Sequence, residues 1–322
     1  MNKIRKEIIA GNEISELKTY CLNGYEQKIL IEGRKRDLPI TIFLHGGPGS
    51  PIPFCAGCRG LFPEFTNRTI MVYWDQLGCG INDYNIDNSF SIDSYVNMAI
   101  DLIRELKKEF KNNPINLFAV SWGSIIAVKT AERIPEEINK VVVYGQMSKN
   151  MIFNQEVFET LEKSKIPESK KKYLSDIKNT KEYSLAQLKT MTKLIQKYTE
   201  GYNCKSDGKA PIGNILKGII SSPDYSMKNF KAMVINGTTK NESLFKELIA
   251  LNLEVTLENV KVPYLILQGS TDIVTSTKQI KEFMSKTKNE YLQLEIIENS
   301  GHITGKNGME KVIEMMFSHF GV

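Results

Sequence analysis

The sequence predicts an α/β fold in which helices cover both faces of a mainly parallel sheet. The main observation is that short apolar runs alternate with amphipathic helical patterns along most of the chain, which is typical of such sheets. The composition, with 41% hydrophobic and 25% charged residues, is that of an ordinary globular protein. A chain of 322 residues is long enough for one domain with an insertion, or for two domains.

Six apolar runs of four to eight residues are predicted to be the strands of the sheet. They are Leu38 to Leu44, Thr69 to Trp74, Ile115 to Val120, Lys140 to Tyr144, Tyr264 to Gln268 and Tyr291 to Ile297. Two weaker runs near the N-terminus, Ile4 to Ile9 and Gln27 to Ile31, are predicted to add an antiparallel edge.

Three segments between and after these runs have apolar residues at helical spacing. One extends from Tyr95 to Phe110, the second from Ile125 to Arg133, and the third closes the chain from Met309 to Phe320. The stretch from Gln146 to Asn252 has helical patterns, many lysines and no clear strand. We therefore predict a core of residues 1–145 and 253–322, with residues 146–252 as a helical insertion.

Charge and composition argue against several classes of protein. The net charge of +5 comes from scattered lysines rather than from a basic arm, so nucleic acid is not an expected partner. No apolar segment approaches the roughly 20 residues needed to cross a membrane, and Glu7 interrupts any signal-peptide core. The odd number of cysteines, five, favours reduced thiols and a cytoplasmic location.

Cys55 and Cys58 form a CxxC pair that could be a redox motif or half of a zinc site. A zinc site needs two further ligands, and the chain has only three histidines. We interpret the pair as two small loop residues and expect neither a metal nor a cofactor.

Ser121 lies in the run FAVSWGSIIAV, where a strand pattern changes to a helix pattern. A nucleophilic serine is often presented on such a turn with the pattern Gly-x-Ser-x-Gly, because bulky side chains would collide there. Here Ala119 replaces the first glycine and Gly123 is the second. Since one methyl group is the smallest addition, we expect the turn to form and predict Ser121 to be a nucleophile.

A serine nucleophile needs a base, and the base needs an orienting acid. His302, in NSGH, follows the last predicted strand and can reach the same sheet edge as Ser121, whereas His319 lies in the closing helix. Asp272, in QGSTDIV, follows the preceding strand and is the candidate acid. Its alternative role is a helix cap, but Thr275 and Ser276 lie closer to the next helix.

The loop HGGPGS, residues 45–50, follows a predicted strand and has little side-chain bulk. Backbone amides from such a loop, and from the residue after the nucleophile, commonly stabilise an oxyanion. We assign this role to the amides of Gly47 and Trp122. A phosphate-binding loop is the alternative, but the lysine and helix start that it needs are missing after Gly49.

Taken together, HGGPGS, WDQLGCG, SWGS, GSTD and SGH resemble the motifs of the proline iminopeptidase branch of the α/β-hydrolases. The resemblance extends in order through nearly all of the chain and is weakest in the insertion. It implies an α/β-hydrolase fold whose helical cap closes over the site, without a cofactor, and activity on N-terminal residues of short peptides. By position it implies Ser121 as nucleophile, Asp272 and His302 as its partners, and the amides of Gly47 and Trp122 as oxyanion donors.

Some positions differ from the family pattern. Leu77 replaces the arginine of the DQRG-like segment, and Ile273 stands where some members have a second acid. An aminopeptidase must pair the substrate ammonium with a carboxylate, for which Glu242 in the insertion is our candidate. The alternative for Glu242 is an exposed acid in the first turn of a helix.

Two other functions remain open. One is a carboxylesterase, lactonase or amidase acting on a small acyl substrate, and the other is a ligand receptor that has kept only the hydrolase fold. The presence of the serine, the acid and the base favours an enzyme. The sequence predicts no particular oligomeric state.

Overall fold

The computed structural model describes residues 1–180, 182–233 and 241–322. Within these residues an eight-stranded sheet forms the centre of the fold. Its strands are β1 (Ile14–Leu22), β2 (Tyr25–Gly33), β3 (Ile40–Leu44), β4 (Ile70–Tyr73), β5 (Ile115–Val120), β6 (Lys140–Tyr144), β7 (Tyr264–Gly269) and β8 (Leu292–Ile297). Across the sheet they are ordered β1-β2-β4-β3-β5-β6-β7-β8.

The strands from β4 to β8 in this order pair in parallel, whereas β1 and β2 form an antiparallel edge. All six predicted strands are present, with bounds that differ by at most two residues from the prediction. The weaker run Gln27 to Ile31 lies within β2, as an antiparallel edge requires. Because the strands are parallel, the loops after β3, β5, β7 and β8 all leave the same edge of the sheet.

The predicted strand Ile4 to Ile9 is wrong, because this segment is part of a helix, α1 (Lys3–Gly11). Asn2 caps the helix by accepting a hydrogen bond from the Arg5 amide at 2.9 Å. The edge strand β1 was not predicted. Only Ile14 and Leu22, at its two ends, are buried, so its sequence lacks the apolar alternation of a half-buried strand.

Helices cover both faces of the sheet. The helices that follow α1 along the chain are α2 (Pro63–Thr66), α3 (Ile92–Glu109), α4 (Trp122–Arg133), α5 (Gln155–Lys163), α6 (Glu168–Lys178), α7 (Leu185–Tyr198), α8 (Ile212–Ile220), α9 (Met227–Lys231), α10 (Glu242–Ile249), α11 (Glu254–Glu258), α12 (Thr277–Met284) and α13 (Lys306–Phe320). The three predicted helices correspond to α3, α4 and α13. Helices α3 and α4 pack on one face and α13 on the other, because successive strand residues point to opposite faces.

The segment between β6 and β7 contains α5 to α11 and no sheet strand among its described residues. Helices α5, α6 and α7 share an apolar cluster that is separate from the two clusters flanking the sheet. This cluster also includes Ile273 and Val274, which follow Asp272 in the loop after β7. The inserted helices therefore pack against the same edge of the sheet at which the parallel strands end.

In the described part of the chain, every helix is too short or too polar to cross a lipid bilayer.

Candidate active site

Ser121 lies on a sharp turn between β5 and α4. Its backbone has φ 51° and ψ −115°, in the left-handed region that residues other than glycine seldom adopt. The strand ends at Val120 and the helix begins at Trp122, so the buried Ala119 of β5 does not prevent the turn. The Ser121 amide donates to the Tyr144 carbonyl at 3.0 Å, which ties the turn to the end of β6.

Gly123, by contrast, cannot be replaced without moving the backbone. A Cβ atom at this position would overlap the carbonyl oxygen of Leu44 and lie 2.6 Å from its carbonyl carbon. Helix α4 thus passes directly against the end of β3, and this close approach requires glycine. The second glycine of the predicted pattern therefore has a clear steric role.

The structure brings Ser121, His302 and Asp272 together in one hydrogen-bonded chain. The Oγ atom of Ser121 lies 3.0 Å from Nε2 of His302, and Nδ1 of His302 lies 3.0 Å from Oδ2 of Asp272. His302 is 6% exposed and Asp272 is 1% exposed, whereas Ser121 is partly exposed. This is the geometry in which an imidazole can take the proton of a hydroxyl while a carboxylate holds its other nitrogen.

Asp272 is held by its own loop as well as by His302. Its Oδ1 accepts hydrogen bonds from the amides of Val274 and Thr275 at 2.8 and 3.1 Å, and its Oδ2 accepts one from the Thr275 hydroxyl at 2.6 Å. The next helix, α12, is capped instead by Ser276, as predicted. Asp272 is therefore oriented toward His302 rather than used as a cap.

The inserted segment holds the backbone of the His302 loop. The amides of His302 and Ile303 donate to the carbonyls of Gly201 and Tyr202 at 3.1 and 2.8 Å. Gly301 passes so close to this segment that a Cβ would lie 2.9 Å from the Tyr202 oxygen. The position of the imidazole thus depends on the inserted segment as well as on β8.

The amides of Gly47 and Trp122 flank Ser121. Neither N–H has a hydrogen-bond acceptor within the described part of the chain. Gly47 has φ 119°, and a Cβ there would lie 2.6 Å from the Gly49 nitrogen, so this position also requires glycine. Both residues line the cavity that contains Ser121, as an oxyanion site would require.

A buried polar network that sequence reasoning missed lies behind these amides. The Gln76 side chain accepts a hydrogen bond from the Trp122 indole at 2.9 Å, and the Gln76 amide donates to Nε2 of His45 at 3.0 Å. The other nitrogen of His45 donates to the Gly46 carbonyl at 2.8 Å. The segment WDQLGCG thereby connects the HGGPG loop to the start of α4. Its position directly after a strand was the signal that could have indicated this role.

His45 is completely buried, and burial lowers its pKa from 6.5 to about 4. The ring is therefore neutral at physiological pH, with a proton on Nδ1 and a lone pair on Nε2. His45 has no contact with Ser121 that would make it the base. The third histidine, His319, lies in α13 near the Pro263 carbonyl.

Cys55 and Cys58 are buried free thiols whose sulfur atoms lie 3.6 Å apart. Cys55 precedes and Cys58 ends a short 3-10 helix, Ala56–Cys58, which is anchored by a hydrogen bond of 2.9 Å from the Ala56 amide to Asp75. No group of three or more potential metal ligands is found among the described residues.

Ser121 opens into a cavity of about 480 Å³. The walls are mostly apolar and include residues of the HGGPG loop, α7 and α10. A second apolar cavity of about 370 Å³ adjoins it, and Ser50, Val120 and His302 line both. His302 thus lies where the two cavities meet, and Ser121 lines the first of them.

The structure does not place Glu242 in this cavity. Glu242 is exposed in the first turn of α10, whereas the face of α10 that carries Leu244, Phe245 and Leu248 lines the cavity. Its position is that of the exposed first-turn acid given as the alternative. Among the described residues that line the cavity, none is an aspartate or a glutamate.

Comparison with known proteins places this site in a family. Residues 39–307 match the family described as the alpha/beta hydrolase fold. The chain belongs to this family. Among curated relatives, the probable aminopeptidase YbaC of Bacillus subtilis (strain 168) is 21% identical over 306 residues, which cover 90% of this chain and 91% of the relative. A proline iminopeptidase of Lactobacillus acidophilus is 22% identical, with coverage of 91% and 94%.

Solved structures share the fold. VinJ superposes with a TM-score of 0.63 at 20% identity, covering 96% of this chain and 99% of VinJ. The proline iminopeptidase of Mycobacterium smegmatis gives a TM-score of 0.62 at 16% identity, with coverage of 94% and 98%. The predicted fold and the predicted family resemblance are confirmed.

Replacing Gly123 with alanine should destabilise this hydrolase strongly. The new methyl group must displace the Leu44 carbonyl or the start of α4, at a cost of at least about 2 kcal/mol in the free energy of unfolding. Urea unfolding followed by circular dichroism measures this cost. Gly213→Ala is the matched control, because a Cβ there meets nothing within 4 Å, and we expect no loss of stability. Equal stability of both variants would contradict the close approach.

The buried, neutral His45 should make the hydrolase less stable as the pH falls. The unfolded chain binds a proton below pH 6.5, whereas the folded chain binds one only below about pH 4. Stability is therefore lost between pH 6.5 and 4, by about 3 kcal/mol from this group. Unfolding of the wild type and of His45→Gln across this range isolates the effect. Parallel pH profiles for the two proteins would show that His45 is not buried and neutral.

Proposed function

We propose that this chain is a serine hydrolase that cleaves a small, largely apolar acyl substrate through an acyl-enzyme. The observation that carries the proposal is the hydrogen-bonded chain from Ser121 through His302 to Asp272, at the wall of a cavity with two unpaired backbone amides. An accessible hydroxyl, a buried imidazole and a buried carboxylate in this order are the parts that nucleophilic catalysis on an acyl group needs.

The steps follow from the positions of these groups. The Ser121 oxygen attacks the carbonyl carbon while Nε2 of His302 takes the hydroxyl proton. Asp272 holds the proton on Nδ1 and stabilises the imidazolium that forms. The amides of Gly47 and Trp122 donate to the oxyanion. His302 then protonates the leaving alcohol or amine, and a water molecule releases the acid from Ser121 by the same route.

We assign residues 146–252 to a cap over the site, and residues 1–145 and 253–322 to the hydrolase core. The separate apolar cluster of α5, α6 and α7 supports this division. So do the contacts of Gly201 and Tyr202 with the His302 loop. The cap supplies much of the cavity wall through α7 and α10, so it determines which substrates fit. The free thiols of all five cysteines support a cytoplasmic location.

The cavity favours an ester or an amide without a free amino terminus. Its lining is mostly apolar and has no aspartate or glutamate among the described residues. The remaining residues, Lys181 and 234–240, include no acid in the sequence. A substrate ammonium would therefore enter the cavity without a carboxylate partner, and burial of an unpaired charge is costly.

Release of N-terminal residues from short peptides is the second candidate function. The names of the curated relatives and the HGGPGS loop favour it. The relatives are only about one-fifth identical to this chain, and the role that we propose for HGGPGS is at the oxyanion rather than at the substrate side chain. For these reasons we propose hydrolysis of an acyl ester or amide as the first candidate function.

Replacing the proposed nucleophile should abolish reaction with acyl-directed reagents. We expect a fluorophosphonate probe to label the wild type, to label His302→Ala weakly, and not to label Ser121→Ala. The rate constant kcat for a short-chain 4-nitrophenyl ester should fall by roughly 10³ or more in Ser121→Ala. Ser285→Ala, which changes an exposed serine outside the cavity lining, is the control and should keep both properties. Unchanged labelling of folded Ser121→Ala would exclude this mechanism.

Substrate comparison should separate the two candidate functions. We expect the wild type to hydrolyse 4-nitrophenyl butyrate with a higher kcat/KM than proline or alanine 4-nitroanilide, because no carboxylate in the cavity pairs with the ammonium group of the anilides. The same comparison with N-acetylated alanine 4-nitroanilide tests the charge directly, and acetylation should not reduce turnover. A strong preference for the free amino terminus would instead support the aminopeptidase.

A further inference from the structure

One face of α7 lines the cavity that contains Ser121. Leu185, Leu188, Lys189, Thr192, Lys193 and Gln196 all contribute to the lining. The other five residues follow Leu185 by three, four, seven, eight and eleven positions. This spacing places all six on one continuous stripe of the helix. The stripe begins with leucines and continues with polar and cationic residues toward Gln196.

The opposite face of α7 fixes the orientation of this stripe. Met191, Leu194 and Ile195 are buried in the apolar cluster of the inserted helices. Rotation of α7 about its axis would expose these side chains, which is unfavourable. Lys189 and Lys193 are therefore held toward the cavity, with exposed side chains at its mouth.

Within residues 1–180, 182–233 and 241–322, these two lysines have no hydrogen-bond or ion-pair partner. Neither forms an ion pair with any residue in the described ranges, whereas other lysines of the inserted helices do, such as Lys171 with Glu168 and Lys178 with Glu162. Lys189 and Lys193 are also four residues apart on a helix, where like charges repel. With no acid in the lining, the mouth of the cavity carries two uncompensated positive charges.

We propose that Lys189 and Lys193 bind a carboxylate of the substrate, so that the substrate is an anionic acyl ester or amide. The apolar part of the acyl group lies against the leucines and the other apolar walls, and its carboxylate lies at the mouth. This inference rests on the proposed function, because the bond cleaved is the one that Ser121 attacks. The reaction remains hydrolysis, which consumes one water molecule and releases an acid and an alcohol or amine.

A carboxylate fits these residues better than a phosphate does. Phosphate sites usually offer an arginine fork or a group of backbone amides at a helix N-terminus. The described lining contains no arginine, and we have assigned the Gly47 amide of its glycine-rich loop to the oxyanion. Two lysines on the side of a helix supply only point charges, without the planar fork or the backbone amides of such phosphate sites.

The test uses pairs of substrates that differ only in this charge. The mono-4-nitrophenyl esters of succinic, adipic and suberic acid carry a free carboxylate, and their methyl 4-nitrophenyl diesters are neutral partners of similar size. We expect wild type to hydrolyse at least one acid with a kcat/KM about tenfold above that of its methyl ester at low salt. In 0.5 M NaCl this preference should weaken, because added salt screens exposed charges.

Variants assign the preference to the two lysines. In Lys189→Gln/Lys193→Gln the charge preference should disappear, mainly through a higher KM for the acid, while the methyl ester keeps its kcat/KM within about twofold. The double variant Lys189→Arg/Lys193→Arg should retain the preference. Lys197→Gln is the matched control, because Lys197 lies on the same helix but does not line the cavity. Circular dichroism checks that each variant is folded.

The outcomes separate this inference from the proposed function. Equal rates for every acid and its methyl ester would overturn the anionic substrate while leaving the serine hydrolase intact. An equal loss of preference in Lys197→Gln would also overturn it, since the effect would then come from net charge. If folded wild-type protein cleaves no member of either series and is not labelled by a fluorophosphonate, the proposed function fails, and this inference fails with it.

Discussion

The left-handed backbone at Ser121 is the constraint on which the rest of the site depends. The turn reverses the chain within one residue, so the hydroxyl stands at the sheet edge and the Trp122 amide is free at the start of α4. It can form only because Gly123 lets α4 pass against the Leu44 carbonyl at the end of β3. Once Ser121 is fixed there, parallel pairing brings the loops after β7 and β8, with Asp272 and His302, to the same edge.

Much of this could be predicted from the sequence, because it depends on local patterns. Buried parallel strands such as β5 and β6 read as continuous apolar runs, and their bounds were predicted to the residue. The errors lie where the pattern is weak. In α1, isoleucines interspersed with charged residues suit a helix or an edge strand, and the Asn2 cap decided the outcome. Strand β1 is mostly half-exposed, so its sequence lacks the apolar alternation that predicts a strand.

Contacts between distant segments could not be predicted in the same way. Gln76 reaches both Trp122 and His45 only after β3, β4 and β5 have paired, so its position after a strand indicates a place at the sheet edge but not these partners. The same holds for Gly201 and Tyr202, whose carbonyls hold the His302 loop from within the insertion. Glu242 lies outside the cavity lining because the packing of Leu244 and Leu248 determines which side of α10 faces the cavity.

Short sequence motifs identify the groups that we propose to react with the substrate. They do not identify the side chains that we propose to select it. The hydroxyl, the imidazole, the carboxylate and the amides of Gly47 and Trp122 are positioned by strand ends and tight turns, so glycines and short motifs indicate them. Selection depends on side chains that α7 and α10 turn toward Ser121, where helical spacing permits many sequences. A relative can therefore share HGGPGS and the serine turn while acting on a substrate of opposite charge. For this reason we expect Lys189 and Lys193 to indicate the substrate better than HGGPGS, which indicates only the family.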